Sequence, residues 1–248
     1  MLRHEEFLFP LTPSFGHRKI FFTMHPWECE YQQPQLIREN LTPLACVRVL
    51  LRQLKKLHFD FTHAHILDLG TGTGRHALAF AEKGAVATGY DISPSAVEIA
   101  QKNTNNILGS VTFEVRSIGK SYPLKDASID LVLDITSSHA LLQEERTVYI
   151  AEVMRVLKPG GYLFIRTFAM EGDINAKKLI KDYPGPEPNT YVLPVLQLIE
   201  RVFTKKELVE SFPALSLISL KKVVGYAVVS NQRYKRHYWI ALFQKPLA

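Results

Sequence analysis

Two carboxylates flank a run of alternating glycines. Asp68 opens Asp68-Leu69-Gly70-Thr71-Gly72-Thr73-Gly74, and Asp91 closes the downstream segment Gly89-Tyr90-Asp91. Glycine at every second position lets the backbone pass close to a ligand with no Cβ in the way. An acid at the tip of the following strand accepts hydrogen bonds from both hydroxyls of a ribose, so the two segments read as a nucleoside-binding unit. The dinucleotide form of this turn is excluded, because it needs its third glycine at position 75, where the chain has Arg75. A second group of chemically able residues follows in Leu133-Asp134-Ile135-Thr136-Ser137-Ser138-His139. Imidazole takes up a proton near neutral pH, which makes His139 a candidate base. Asp134 is a candidate for orienting a bound molecule, and Ser138 and Arg166 for contacting a substrate. Plainer readings stand beside these: a helix-leading His bonded to backbone, an Arg in a salt bridge, acids at strand ends.

The elements around these residues follow from pattern. Apolar positions Ile37, Leu41, Leu44, Val47, Leu50, Leu51 and Leu54 recur at three- and four-residue intervals. They predict an amphipathic helix over 36–57, broken or capped near Thr42-Pro43. Strands are expected at 66–69, 86–91, 111–115, 131–135 and 162–167, with helices at 75–83, after Ser93-Pro94, and at 144–157. Lys158-Pro159-Gly160-Gly161 is expected to stop the last helix. Strands alternating with helices imply a mostly parallel sheet covered on both faces. In the tail, Thr204-Lys205-Lys206-Glu207 is a capping box, and 219–229 and 238–244 read as two strands joined by a polar turn around Asn231-Gln232. The proline-rich stretch Tyr183–Tyr191 is expected to be a fixed, extended connection on the substrate side.

An acid, one residue, then G-x-G-x-G, with Asp91 after the second strand and Leu157-Lys158-Pro159-Gly160-Gly161 downstream, resembles the class I S-adenosylmethionine (SAM) dependent methyltransferases. The resemblance implies an α/β fold, a Rossmann-like doubly wound sheet of about seven strands, mostly parallel with an antiparallel C-terminal strand. It covers residues 61–248 as the SAM-binding domain, with an insertion at about 169–203; residues 1–60 form an N-terminal arm and a lid-like helix. It implies that the Gly70–Gly74 backbone, with Thr71, receives the methionine part of SAM. Asp68 orients that loop or accepts from the ammonium, Asp91 takes the ribose diol, and Ile92 packs on adenine. Many relatives carry an acid after strand three for the adenine amino group. Here the segment is Val115-Arg116-Ser117-Ile118-Gly119, leaving Ser117 and Ile118 as the adenine-side residues. The polar N/D-P-P-F/Y tetrad of many nucleic-acid and amide methyltransferases is absent. Trp27 and Tyr31 are expected in the lid, beside the substrate, or else in the core.

Composition sets the outer bounds. The chain has 248 residues, a formal net charge of +6 and two cysteines. No apolar run approaches the ~20 residues of a membrane span, and Met1-Leu2-Arg3-His4-Glu5-Glu6 lacks a charged-then-apolar leader pattern, so a cytoplasmic setting is expected. Cys29 and Cys46 suit neither a disulfide framework nor, with His63 and His65, a metal site. These features point to an enzyme that methylates a small molecule on oxygen or nitrogen. The alternatives are methylation of RNA or protein, for which the charge and Arg233-Tyr234-Lys235-Arg236-His237-Tyr238 speak, and a non-catalytic SAM-binding module. Nucleic acid is not the favoured partner, and the sequence leaves the oligomeric state open.

Overall fold

The computed structural model describes residues 24–34, 36, 41–104, 108–194, 196–229 and 232–247. In chain order the elements are α1 (Pro26–Gln32), α2 (Ala45–Lys56), β1 (His65–Leu69), α3 (Arg75–Ala81), β2 (Val86–Asp91), α4 (Pro94–Lys102), β3 (Ser110–Val115), β4 (Ile129–Ile135), a 3-10 turn (Ser138–Ala140), α5 (Gln143–Val156) and β5 (Leu157–Phe168). An inserted unit of α6 (Ile174–Asp182), β6 (Thr190–Leu193) and β7 (Leu198–Arg201) follows, then α7 (Lys205–Glu210), β8 (Ser216–Val229) and β9 (Gln232–Gln244). The main sheet runs β3-β2-β1-β4-β5-β9-β8. The first five strands are parallel, and β9 enters antiparallel between β5 and the edge strand β8. This is the doubly wound sheet the alternation implied.

The strand at its centre shows why both faces are covered. Leu67 and Leu69 of β1 pack with Tyr149, Val153 and Val156 of α5, while Ile66 packs oppositely against Phe80 of α3 and Leu50 and Leu54 of α2. Period-two side chains on a strand require apolar partners on both sides once helices flank the sheet.

Some boundaries differ from the sequence expectation. Helix α2 begins at Ala45, because Pro43 disfavours helical backbone at the residue before it; residues 37–40 of the expected helix lie outside the described residues. The Lys158–Gly161 run does not sit between helix and strand but inside β5, where Gly160 N donates to Lys245 O and Lys245 N to Gly161 O. Local turn chemistry lost to pairing with the C-terminal stretch. The expected turn around Asn231 falls on residues that are not described. Within the insertion, Tyr183–Tyr191 is not an extended connection: it folds back on itself, with Val192 N donating to Tyr183 O and Gly185 N to Thr190 O, both at 3.0 Å, because backbone pairing across the stretch outweighs the extended preference of its prolines; α6 precedes it and the β6–β7 hairpin follows.

The insertion is tied to the sheet through one buried cation. Arg236 of β9 is 1% exposed. Its Nε donates to Asp173 Oδ2 at 2.9 Å, its Nη2 donates to Tyr191 Oη at 2.6 Å, and its Nη1 lies 3.7 Å from Glu200. The Tyr191 hydroxyl donates in turn to Glu200. Asp173 also caps α6 by accepting from Ala176 N at 2.7 Å. With Tyr234 and Tyr238 buried as well, the Arg233–Tyr238 cluster is a strand that packs inward at every second residue, and its aromatic side chains are not a nucleic-acid surface.

The N-terminal helix is fixed by a single acid. Glu28 of α1 accepts from the Ser93 and Ser95 hydroxyls and from Ser95 N at 3.1 Å, at the start of α4. Burial works to raise the Glu28 carboxyl, but these donors and Gln32 outweigh it and hold it down at about 2. A carboxyl with its folded value below an unfolded value of 4.5 stabilises in full above 4.5, and that contribution is lost as pH falls toward 2.

Two outcomes are expected. Glu28→Gln lowers unfolding free energy near neutral pH by about 1 kcal/mol. In denaturant titrations its deficit against wild type should shrink as pH drops below 4.5; a pH-independent deficit would assign the loss to packing. Arg236→Met leaves Asp173 and Glu200 buried without their cation and should cost about 3–5 kcal/mol. A loss well under 1 kcal/mol would show that the insertion is held by its apolar contacts alone.

Candidate functional site

At the carboxyl ends of β1, β2 and β4 the chain leaves the sheet in tight turns. The turn after β1 is pinned from below: Thr71 N donates to Tyr90 O at 2.8 Å, and Thr71 Oγ1 donates to Asp68 Oδ2 at 2.7 Å. Asp68 is 1% exposed, and burial raises its carboxyl to about 6 despite the bonds it accepts from Thr71 and Ala77. Gly70 takes φ +68°, and a Cβ there would sit 2.4 Å from Ser137 Cβ in the turn after β4. Gly72 takes φ +57°, and its Cβ would sit 2.6 Å from the Tyr31 hydroxyl oxygen. The loop thus runs between one neighbouring turn and the N-terminal helix, with room only for glycine at both contacts.

Asp91 receives Gly72 N on Oδ2 at 2.9 Å and Ser93 N on Oδ1 at 3.0 Å, which joins the β1 and β2 turns. Burial raises its carboxyl. The Ile92 N–H also reaches this carboxylate, which leaves one of its four acceptor sites open, and the side chain lines a cleft of about 680 Å³. Gly70, Ile92, Ser117 and Ile118 line the same cleft, with Trp27 and Tyr31 of α1 over it. Of the sequence-derived cofactor residues, Asp68, Thr71, Gly72 and Gly74 do not line the cleft; Asp68, Thr71 and Gly74 are buried in or under the loop, and Gly72 meets Tyr31. The cleft also holds Glu145 from the first turn of α5, an acid that local pattern reads only as helix capping.

Trp27, Tyr31 and Thr136 are shared with a second, larger cavity of about 1310 Å³. Its walls are Thr73 and Arg75 from the start of α3, Arg166 and Phe168 of β5, Leu193 and Glu200 of the insertion, and Tyr226, Val228, Arg236 and Tyr238 of the β8–β9 pair. Thr136 holds φ +60°, a strained conformation for a β-branched residue, and such strain concentrates at functional turns. Its Oγ1 accepts from Arg166 Nη1 at 2.8 Å, and the Arg166 guanidinium lies 3.6 Å over the Tyr238 ring.

His139 lines this cavity and is 2% exposed. Its ring stands edge-on to Phe168, centroids 4.8 Å apart, and Nε2 lies 3.7 Å from Glu200 Oε1. Among the described residues neither ring nitrogen has a hydrogen-bond partner. Burial works to raise Glu200, yet the adjoining His139, the Arg236 charge and the Tyr191 hydroxyl hold it below the usual carboxylate range, so it stands as an anion beside the imidazole.

Asp134 and Ser138, the other two residues of that sequence cluster, line neither cavity. Asp134 is 1% exposed and accepts from Ser137 N, Ser137 Oγ, Ser138 N, Ser138 Oγ and, at 2.7 Å, Tyr149 Oη. Those donors occupy the carboxylate, which builds the turn that carries His139 inward rather than meeting a bound molecule. Glu200 and Arg236 were missed by sequence reasoning. Each is a charge on the inward face of a strand, alternating with Leu198 in one case and with Tyr234 and Tyr238 in the other. That alternation was the available signal, and it becomes legible only once the strands are known.

The fold agrees with comparisons to known proteins. A family model described as a methyltransferase domain matches residues 60–210. The chain is 27% identical to a 2-heptyl-1-hydroxyquinolin-4(1H)-one methyltransferase of Mycobacteroides abscessus, over 66% of this chain and 62% of that protein. It is 36% identical to a phthiotriol/phenolphthiotriol dimycocerosates methyltransferase of Mycobacterium leprae, over 63% of this chain and 57% of that protein. It therefore spans less than two thirds of the length of these curated relatives. Among solved structures, a SAM-dependent methyltransferase of Methanosarcina mazei superposes with a TM-score of 0.65 at 26% identity, over 78% of this chain and 98% of that one. With its glycine loop, its Asp91 cleft and its strand order, the chain belongs to the class I SAM-dependent methyltransferase family.

Proposed function

We propose that this chain moves a methyl group from SAM to a small-molecule acceptor, on oxygen or nitrogen, with His139 receiving the acceptor's proton. The observation that carries the reading is the His139 imidazole. It is buried, has neither nitrogen hydrogen-bonded among the described residues, lines the larger cavity and stands 3.7 Å from an anionic Glu200. A buried imidazole with no close hydrogen bond, only a carboxylate at 3.7 Å, is an unfavourable arrangement that a catalytic role explains. The names of the two curated relatives, both for small molecules, support the same acceptor class.

The residues of the smaller cleft fit the cofactor. The carboxylate of Asp91 keeps an acceptor site for a ribose hydroxyl, Ile92 and Ile118 offer an apolar site to adenine, and Ser117 and Glu145 are among the polar side chains of the cleft. The Gly70–Gly74 backbone receives the methionine part, and Asp68 acts through Thr71 by holding that loop. Bound there, SAM supplies an electrophilic methyl group to a lone pair aligned with it. Trp27, Tyr31 and Thr136 stand at the passage between cleft and cavity, where the acceptor atom must arrive. Glu200 holds the imidazole in place and stabilises the imidazolium formed as the proton is taken up.

The direct test is release of S-adenosylhomocysteine (SAH) by the purified chain given SAM with metabolite, RNA or protein fractions. Turnover with the metabolite fraction is expected; turnover only with RNA or protein would overturn the small-molecule acceptor, and SAM binding without any turnover would overturn the enzyme reading. Asp91→Ala should weaken SAH binding by about tenfold or more in calorimetry, as loss of a charge-assisted hydrogen bond requires. Unchanged affinity would remove Asp91 from the ribose. His139→Ala should depress kcat while leaving SAH affinity intact, and Glu200→Gln should depress it less and alter the pH profile of kcat. Equal losses of turnover and SAH binding in His139→Ala would make the imidazole structural.

A further inference from the structure

Among the described residues, the arginines that face the interior are, with two exceptions, matched to acids. Arg146 and Arg201 meet Glu187 at 3.1 and 3.6 Å, Arg155 meets Glu152 at 2.7 Å, and Arg236 meets Asp173 at 2.9 Å. Arg75 and Arg166 are the exceptions. Among the described residues neither forms an ion pair with a carboxylate, and both line the larger cavity. Arg166 is held in place by Thr136 Oγ1 and the Tyr238 ring, and one recorded hydrogen bond leaves most of its five N–H donors unassigned. Glu200, the acid among the lining residues, is already engaged by Tyr191, Arg236 and His139.

We propose that Arg75 and Arg166 together bind an anionic group of the acceptor, a carboxylate carried on an apolar body. Building on the methyltransferase reading above, this inference names the class of molecule that the cavity takes. Two like charges on the walls of one half-open cavity, neither ion-paired among the described residues, are unfavourable, and an incoming anion relieves both at once. Guanidinium groups match the planar geometry of a carboxylate, while Leu44, Leu193 and Val228 supply walls for the apolar remainder. Their field is felt nearby. Burial first, then the Arg75 and Arg166 charges, push the His76 imidazole down to about 3, and burial followed by the neighbouring Arg166 charge lowers Arg75 itself despite opposing contributions from Tyr31 and Asp68. A second carboxylate, that of the SAM methionine, has the same chemistry. The larger cavity is favoured as the site for the acceptor's because neither arginine lines the cleft that holds Asp91.

The test is calorimetry on the full chain saturated with SAH, with two acid–amide pairs as probes: octanoate against octanamide, and benzoate against benzamide. In at least one pair the acid should bind about tenfold or more tighter than its neutral partner, the contribution of a charge-assisted contact. Arg166→Gln and Arg75→Gln should each abolish that preference and leave SAH affinity unchanged, and Arg166→Lys should retain part of it. If acid and amide bind alike in both pairs, or none binds, while SAH binding is intact, this inference alone fails. If the arginine variants lose SAH affinity instead, the guanidiniums serve the cofactor's own carboxylate and the acceptor assignment is overturned. A wild-type chain with no affinity for SAH would overturn the methyltransferase reading and this inference with it.

Discussion

Carboxylates buried at the ends of parallel strands organise this molecule. Asp68, Asp91 and Asp134 stand at or next to the carboxyl ends of β1, β2 and β4, which lie side by side in the sheet, and none is more than 7% exposed. A carboxylate removed from water must find donors, and each finds them in a turn that follows a strand. Asp68 takes Thr71, Asp91 takes Gly72 and Ser93, and Asp134 takes Ser137 and Ser138. The turns therefore leave the sheet in fixed directions. Ser137 lies against Gly70 so closely that no Cβ fits between them, and both residues line the cleft that holds Asp91.

How far the sequence was legible follows from the range of the interactions. The glycine loop, the Ser93-Pro94 helix start and the Thr204–Glu207 capping box are settled within a few residues, and the structure contains all three. The alternation of strands and helices fixed the sheet because period and apolarity are local quantities. Asp134 was misleading for the same reason. An acid at a strand end, near a histidine, has the composition of a reactive group, but its donors are the very next turn and Tyr149 of the following helix. Glu200 and Arg236 were illegible on different grounds. Their meaning lies in each other and in Asp173 and Tyr191, and that quartet forms only when the insertion folds back on β9. The Lys158–Gly161 run shows the limit of turn chemistry, since its partner is the C-terminal stretch.

The two spaces are coupled through α1. Trp27 and Tyr31 belong to both, and Tyr31 touches the glycine loop at Gly72. The helix carrying them has seven residues, too short to be stable alone, so its position is set by docking. Glu28 provides that docking at the start of α4, directly after the strand that ends in Asp91. One short helix thus ties the Asp91 cleft to the entrance of the larger cavity. A side chain that closes one space also shapes the other, and exclusion of water from both depends on the same contact.

Charge in the larger cavity is arranged asymmetrically, and the asymmetry bears on the chemistry proposed for it. On the insertion side, Glu200, Arg236, Tyr191 and Asp173 form a closed network in which each charge has its opposite, so the anion beside His139 is fixed in place. On the sheet side, Arg75 and Arg166 face the cavity and, among the described residues, pair with no acid; Arg166 is oriented by Thr136 and Tyr238. An acceptor anchored by its anion at the sheet side would present its far end toward the imidazole. Proton uptake by His139 would then form a cation 3.7 Å from the anionic Glu200, which is the favourable order of charges at a buried group. The reverse placement, with a base beside the arginines, would set a new cation against two existing ones.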